Sequence, residues 1–294
     1  MSRELGAIVI SVDYRLGPAA KFPAATHDAE DVLAAVTRPG TRGWEVLKDE
    51  INRSLKKGGR EEIDIDERRV GVSGFSSGGN LALGLVLDVK ANDYRVKQEK
   101  CPVLDKDWDG GFAKDWGRRI PVMLFYPSLD CRLLPAERPL PKAMQRADGI
   151  KKKSFVESLR LETDLMPTYL PREVAGHPRA SPGLAPLEGI HKEAHMYLVL
   201  PELDTLNEQS EVWVEKCRKF GIGGDVLEVR RVKGVVHGWT QFPETWVQEE
   251  HRKLRDECFQ RAREICEKAW EVKDELVEME PVRPVSSSLR PDVV

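Results

Sequence analysis

Gly74-Phe75-Ser76-Ser77-Gly78-Gly79-Asn80 is the stretch of sequence that decides the fold. A segment with β-branched residues (67–73) precedes it and an apolar segment (81–89) follows, so the order predicts a strand, a tight turn and a helix. A Gly-x-Ser-x-Gly turn in that setting is typical of a nucleophile elbow, whose backbone strain lifts a serine hydroxyl clear of the sheet. Ser76 is therefore the candidate nucleophile; an ordinary exposed serine in a glycine turn is the alternative.

The neighbours of Ser76 suit acyl transfer. The elbow glycines leave space for the strand and the helix to approach each other: Gly74, Gly78 and Gly79. The N-terminus of the following helix favours the negative charge that develops on a substrate carbonyl oxygen. The turn therefore predicts both a nucleophile and a site for the oxyanion.

Strands and helices alternate on both sides of this turn. Residues 7–13 form an apolar run suited to a strand buried on both faces, and further strands are predicted over 120–126, 195–200 and 226–232. Helices are predicted over 28–36, with acids in the first turn, 44–57 and 207–220. The alternation predicts an α/β fold with a doubly wound, mainly parallel sheet, whose ligands bind beyond the carboxyl ends of the strands.

The chain is predicted to consist of one domain followed by a helix and a tail. Residues 1–245 are predicted to form the α/β domain, in which the proline-rich segment from about 131 to 180 is a helical cap over the carboxyl edge. Residues 246–280 are predicted to form a C-terminal helix, and 281–294 a disordered tail. Small and apolar residues repeat along this helix with 4-3 spacing, which suits packing against the chain's own domain or a homodimer contact.

Composition excludes several classes of function. The net charge of −3 gives no general attraction to nucleic acid, and no apolar run is long enough to span a membrane. Five cysteines without a C-x-x-C pair indicate free thiols in a reducing, cytoplasmic environment. The histidines show no paired ligand spacing and no phosphate-binding glycine loop occurs, so neither a metal nor a cofactor is implied.

A serine nucleophile needs a base and an acid that orients the base. After an elbow these are expected later in the chain, in the order acid and then histidine. His237 follows the last predicted strand and precedes a glycine, and Asp204 follows the strand before it. Asp130 also follows a strand and is the alternative acid; we favour Asp204 because its loop is the neighbour of the His237 loop in chain order.

Several short motifs occur in one consistent order. They are Val12-Asp13-Tyr14-Arg15-Leu16, Phe22-Pro23-Ala24-Ala25, the serine elbow, Tyr126-Pro127, Ala180-Ser181-Pro182, Asp204-Thr205-Leu206 and His237-Gly238-Trp239. In this combination the chain resembles the hormone-sensitive-lipase-like carboxylesterases of the α/β-hydrolase fold over about residues 5 to 245. The resemblance implies Ser76 as nucleophile, His237 as base, Asp204 as orienting acid and small carboxylic esters as substrates. It also implies the backbone N–H of Ser77 as one oxyanion donor.

The chain departs from this family in three places. Phe75 stands where the family usually has aspartate, and Ser77 where it usually has alanine. No His-Gly-Gly run, which in the family donates most of the oxyanion-hole N–H groups, occurs in the sequence. Because one lost donor lowers kcat by about 10² to 10³, we expect impaired turnover.

The resemblance implies that the family's strand before residue 7 is also missing. We therefore expect an N-terminally truncated copy of an esterase whose complete form is active; a short protein with a rebuilt site is the alternative. Two further functions stay open: a catalytically inactive ligand-binding homologue, and an amidase or peptidase that uses the same three residues.

Overall fold

The computed structural model of the chain describes residues 4–89, 111–114, 116–145 and 166–270. The predictions for part of the cap (146–165), for the end of the C-terminal helix (271–280) and for the disordered tail (281–294) lie outside these residues.

Four parallel strands form one sheet within the described residues, in the spatial order β1-β2-β3-β4. The strands are Val72–Phe75 (β1), Ile120–Phe125 (β2), Ala194–Leu203 (β3) and Leu227–Val236 (β4). Because all four run in the same direction, the loops that follow them meet at one edge of the sheet. The α/β fold with a parallel sheet is confirmed.

Six helices have bounds in the described part of the chain. They are Ala24–Thr37 (α1), Arg42–Lys57 (α2), Ser77–Gly84 (α3), Lys142–Gln145 (α4), Asn207–Phe220 (α5) and Glu249–Trp270 (α6). Helix α5 has the predicted bounds, and Gly221 ends it in the left-handed conformation that glycine adopts at low cost. Helix α3 begins earlier than predicted, because its first turn is part of the elbow.

Side chains of the two central strands alternate between two apolar layers, as the pleat of a strand requires. In β2, Ile120, Val122 and Leu124 pack with α1, α3 and α5, whereas Met123 and Phe125 pack with α6. Helix α6 buries one stripe against this second layer: Cys258, Ala262 and Cys266. The described part of the predicted helical seam thus packs within its own chain.

The segment 7–13 is not the buried strand that its apolar run predicts. It has no regular structure, and the exposed fractions of Ile8, Val9 and Ile10 are 41%, 69% and 38%. In the described sheet, β1 is the edge strand and pairs only with β2. A buried strand needs a neighbour that accepts its backbone hydrogen bonds, and segment 7–13 has none there.

Helix α1 also begins at a different place from the prediction, which put the acids of residues 28–36 in its first turn. The helix begins at Ala24, directly after Pro23. Asp28 therefore lies one turn inside the helix, where its carboxylate accepts hydrogen bonds from the backbone and the side chain of Arg15. This ion pair, rather than the helix dipole, explains the carboxylate at this position.

The described part of the predicted cap is irregular and contains short helical segments. They include α4, the one-turn 3-10 helices Pro135–Glu137 and Arg172–Val174, and the helical residues 166–169. Leu170, Val174 and Ala175 pack with Phe22, so the cap is joined to the segment that precedes α1.

Candidate active site

Ser76 lies between β1 and α3 in a strained backbone conformation, with φ 53° and ψ −113°. Its N–H donates to the Phe125 carbonyl at 3.0 Å, and its carbonyl accepts from the N–H groups of Asn80 (3.2 Å) and Ser128 (3.1 Å). Non-glycine residues adopt positive φ rarely, and such strain persists only where surrounding bonds hold it. The turn thus has the conformation expected of a nucleophile elbow.

Two of the three elbow glycines are required by close packing. A Cβ on Gly74 would lie 2.0 Å from the carbonyl oxygen of Gly78, and one on Gly79 would lie 2.8 Å from Cβ of Pro127. A Cβ on Gly78 would meet nothing within 4 Å. The need for glycine is therefore steric at Gly74 and Gly79 and is not steric at Gly78.

The loops after the last two strands bring two predicted residues to Ser76. His237 follows β4, and its Nε2 lies 3.0 Å from Oγ of Ser76. Asp204 follows β3, and its Oδ2 lies 2.8 Å from Nδ1 of the same imidazole. With its proton on Nδ1, the ring donates to the carboxylate and its Nε2 accepts from the serine hydroxyl. Such a ring can take the hydroxyl proton.

Asp204 is held firmly at this position. Its side chain is buried, with 2% of its surface exposed, and its Oδ1 accepts a hydrogen bond of 2.8 Å from the N–H of Leu206. The two carboxylate oxygens therefore have different partners, one the backbone of the loop and the other the imidazole. This arrangement fixes the direction in which the carboxylate meets His237.

Asp130, the alternative acid, is paired elsewhere. Its carboxylate accepts hydrogen bonds of 2.6 to 3.1 Å from the guanidinium of Arg132. Partial burial opposes ionisation, but the hydrogen bonds from Arg132 outweigh it and lower the pKa of the Asp130 carboxyl. The geometry places Asp204, and not Asp130, against the imidazole.

Ser77 is the first residue of α3. Its backbone N–H has no acceptor within the helix, because the first N–H groups of any helix lack one. Its hydroxyl lies 2.9 Å from the hydroxyl of Tyr14. Tyr14 belongs to a motif that carried the resemblance, but no sequence signal indicates its contact with the elbow, which joins residues far apart in the chain.

Two other residues at the elbow were missed by the sequence analysis. Nδ2 of Asn80 donates to the carbonyls of Ser128 (2.7 Å) and Ala180 (2.9 Å), which ties helix α3 to the end of the cap. Tyr126 follows β2, and its ring lies against the imidazole of His237. Neither role has a local signal, because each depends on a loop from another part of the sheet.

The other described histidines with a titration shift lie away from this group. Burial and the charge of Arg179 lower the pKa of His177 to about 4, and burial lowers that of His195. Among the residues that the structure describes, no three His, Cys, Asp or Glu side chains are grouped as a metal site would require. Over the same ranges, no helix is both long enough and apolar enough to cross a membrane.

A serine at a strand–helix turn on the carboxyl edge of a parallel sheet is the architecture of the α/β hydrolases. The family model described as alpha/beta hydrolase fold matches residues 1–241. The chain belongs to this family, and the resemblance drawn from its motifs is confirmed.

Solved structures with this fold include carboxylesterases. An esterase of Pyrobaculum calidifontis is 25% identical, with a TM-score of 0.53, over 91% of this chain and 68% of that one. EstE1, a thermostable carboxylesterase cloned from a metagenomic library, is 26% identical, with a TM-score of 0.53, over 91% of this chain and 71% of its own.

Curated relatives match smaller shares of their own length. Neutral cholesterol ester hydrolase 1 of Rattus norvegicus is 36% identical over 85 residues, which are 29% of this chain and 16% of the relative. Arylacetamide deacetylase of Mus musculus is 24% identical over 82% of this chain and 62% of the relative. The chain thus spans less than two thirds of the length of either protein.

Proposed function

We propose that this chain is a serine hydrolase that cleaves carboxylic esters through an acyl-enzyme. The supporting observation is the unbroken line of hydrogen bonds from Oγ of Ser76 through His237 to Asp204, at 3.0 and 2.8 Å. This order of groups gives the hydroxyl a base within reach and gives the base an acid that orients it. The similarity to esterases of known structure supports the choice of ester substrates.

In the first half of the reaction Ser76 is acylated. Nε2 of His237 takes the hydroxyl proton while Oγ forms a bond to the ester carbonyl carbon, and the π electrons of the carbonyl move to its oxygen. The N–H of Ser77, at the positive end of α3, donates to this oxyanion. When the carbonyl re-forms, the bond to the alkoxy oxygen breaks and the imidazolium gives its proton to the departing alcohol.

In the second half water replaces the alcohol. His237 removes a proton from the water as its oxygen attacks the acyl carbon, and the proton then passes to Oγ of Ser76 as the carboxylic acid leaves. Asp204 keeps the imidazole oriented and stabilises the imidazolium. We also propose that turnover is slow, because the sequence contains no His-Gly-Gly run to add donors to that of Ser77.

Amide substrates are a second candidate for the same site. The relative with the longest alignment reported above is named arylacetamide deacetylase, and it matches 82% of this chain. An amide needs the same attack by Ser76, and its nitrogen must be protonated before the amine can leave; the His237 imidazolium would give that proton.

The test is turnover and covalent labelling of the purified chain. We expect hydrolysis of p-nitrophenyl acetate and labelling by a fluorophosphonate, both lost in Ser76→Ala and retained in Ser77→Ala, the matched change at the adjacent serine. Faster turnover of p-nitroacetanilide than of the ester would favour the amidase. Absence of both labelling and turnover would contradict the proposal and would favour the alternative function, a catalytically inactive ligand-binding homologue.

The proposed substrate is a small ester, and the proposed steps use only side chains, one backbone N–H and water. The described cysteines form no disulfide, which supports the proposal of a cytoplasmic protein with free thiols. A homodimer through α6 stays a proposal; sedimentation at several concentrations tests it.

A further inference from the structure

Tyr126 occupies a conformation that is unusual for a bulky residue. Among the described residues, two that are not glycine have positive φ: Ser76 at 53° and Tyr126 at 40°. They follow the neighbouring parallel strands β1 and β2, and the N–H of Tyr126 donates to the Val199 carbonyl at 2.8 Å. Such a conformation raises the energy of the folded chain and indicates a local requirement.

The side chain of Tyr126 contacts the group that we propose as base. The ring is 2% exposed, and its centroid lies 5.0 Å from that of the His237 imidazole, with 66° between the ring planes. This tilted, edge-on arrangement is the favourable geometry for two aromatic rings. Ser76 and Asp204 bond the two ring nitrogens, so the contact with Tyr126 is an additional constraint on the imidazole.

The hydroxyl of Tyr126 reaches the turn that carries His237. It forms a short hydrogen bond with Oγ1 of Thr240, in the 3-10 helix Trp239–Gln241. Burial raises the pKa of Tyr126 to about 12, so the side chain is a neutral phenol at neutral pH. One side chain thus contacts both the imidazole and the turn that follows it.

We propose that Tyr126 is a positioning residue for His237: its ring and its bond to Thr240 hold the imidazole in line between Ser76 and Asp204. The proposal rests on the proposed hydrolase function, but its main readout does not need turnover. The strained backbone of Tyr126 is the consequence of directing the ring from the end of β2 toward the His237 loop.

Tyr197 offers a matched control for the loss of a buried aromatic ring. It is a tyrosine on the neighbouring strand β3, is 1% exposed, and packs in the same apolar layer. Its ring contacts Phe125 rather than the histidine, and its hydroxyl lies at Cys258. Substitution there removes a ring of the same size from the same apolar layer and leaves the ring contact with the proposed base in place.

The experiment compares Tyr126→Leu, Tyr126→Phe, Thr240→Val and Tyr197→Leu below their unfolding temperatures. The first readout is the low-field proton resonance of His237 Nδ1–H, the proton bonded to Asp204. We expect it to shift and broaden in Tyr126→Leu, to change less in Tyr126→Phe, and to be unchanged in Tyr197→Leu.

The second readout is the division of the effect between kcat and KM. We expect Tyr126→Leu to lower kcat for p-nitrophenyl acetate by about 3- to 10-fold, the range of an aromatic contact, while KM changes by less than about twofold. Tyr126→Phe should restore most of this rate. Combining Tyr126→Phe with Thr240→Val should add no further loss, because each removes the same hydrogen bond.

An unchanged proton resonance in Tyr126→Leu would overturn the proposal, as would equal changes in Tyr126→Leu and Tyr197→Leu. If the wild-type chain neither turns over ester nor reacts with a fluorophosphonate, the proposed hydrolase function fails instead. The proton resonance still decides in that case whether Tyr126 holds the imidazole.

Discussion

Two apolar segments of similar composition take opposite positions in this molecule. Ile120–Phe125 forms β2, every residue of which is buried, whereas segment 7–13 has no regular structure and exposes 69% of Val9. Strand β2 has β1 on one side and β3 on the other, and both accept its backbone hydrogen bonds. The difference shows that an apolar run becomes a strand only where neighbouring strands satisfy its backbone.

The same difference separates the candidate site from the segment before α1. Ser76, Asp204 and His237 each follow a paired strand, so the sheet fixes the distances between them. Residues 4–23 are held by separate local contacts instead: the apolar packing of Leu5, the bonds between Arg15 and Asp28, and the bond from the Phe22 N–H to the Tyr169 carbonyl. The region that carries the proposed chemistry is therefore the one that the sheet makes rigid.

The largest expected loss of stability is at Gly74, where the backbone of the elbow packs most closely. Gly74→Ala would bring a Cβ to 2.0 Å from the Gly78 carbonyl, both part of the backbone of the elbow. Because backbone atoms cannot move aside as a side chain does, we expect a loss of about 3 kcal/mol or more in the free energy of unfolding. Urea denaturation measures it.

Gly78→Ala is the control within the same elbow. A Cβ there meets nothing within 4 Å, and the residue lies in the first turn of α3. We expect stability to be unchanged or to rise by up to about 1 kcal/mol, because alanine favours a helix over glycine. Equal losses in the two variants would show that the elbow tolerates displacement and is not rigid.

The next comparison is between the stability losses that substitutions in the two apolar segments cause. Ile120 in β2 is fully buried, and Ile8 in the unpaired segment is 41% exposed. We expect Ile120→Ala to lower the free energy of unfolding by about 2 to 5 kcal/mol, because it leaves a cavity between packed layers. Ile8→Ala should change it by less than about 0.5 kcal/mol. If the two losses are similar, segment 7–13 is as firmly packed as the sheet.

The sequence predicted the parts of the fold that have local signals. The bounds of α5 follow from an apolar period that ends at Gly221, and β2 follows from an apolar run that ends before Pro127. The meeting of Ser76, Asp204 and His237 was also predictable, because the ends of parallel strands share one edge. Each inference needed only residues close in the chain and one rule of topology.

The remaining features depend on contacts between distant residues. Segment 7–13 has the composition of a strand, but its own residues do not indicate whether another strand lies beside it. Tyr126 looks like the end of a strand, and its ring contact with His237 needs the loop after β4. Asp28 was interpreted as an acid in the first turn of α1. Its actual partner, Arg15, lies in an irregular segment before the helix, so no sequence signal joins the two residues.

The smallest expected effect concerns the attachment of that irregular segment. Hydrogen bonds from the Arg15 guanidinium lower the pKa of the Asp28 carboxyl, so its contribution to folding is complete above the ordinary carboxyl pKa near 4 and is lost as pH falls through the lowered value. At neutral pH we expect Asp28→Asn to accelerate amide hydrogen exchange of residues 14–22 by about threefold.

Asp49→Asn, at an exposed aspartate on helix α2, is the control and should leave this exchange unchanged. The ratio of exchange in Asp28→Asn to that in the wild-type chain should decline toward one near pH 3, where the wild-type carboxylate is also losing its charge. A ratio that stays constant with pH, or equal acceleration by Asp49→Asn, would mean that the Arg15–Asp28 ion pair does not hold the segment. The segment would then be held mainly by another contact, and the packing of Phe22 against Leu170 and Val174 is the next to test.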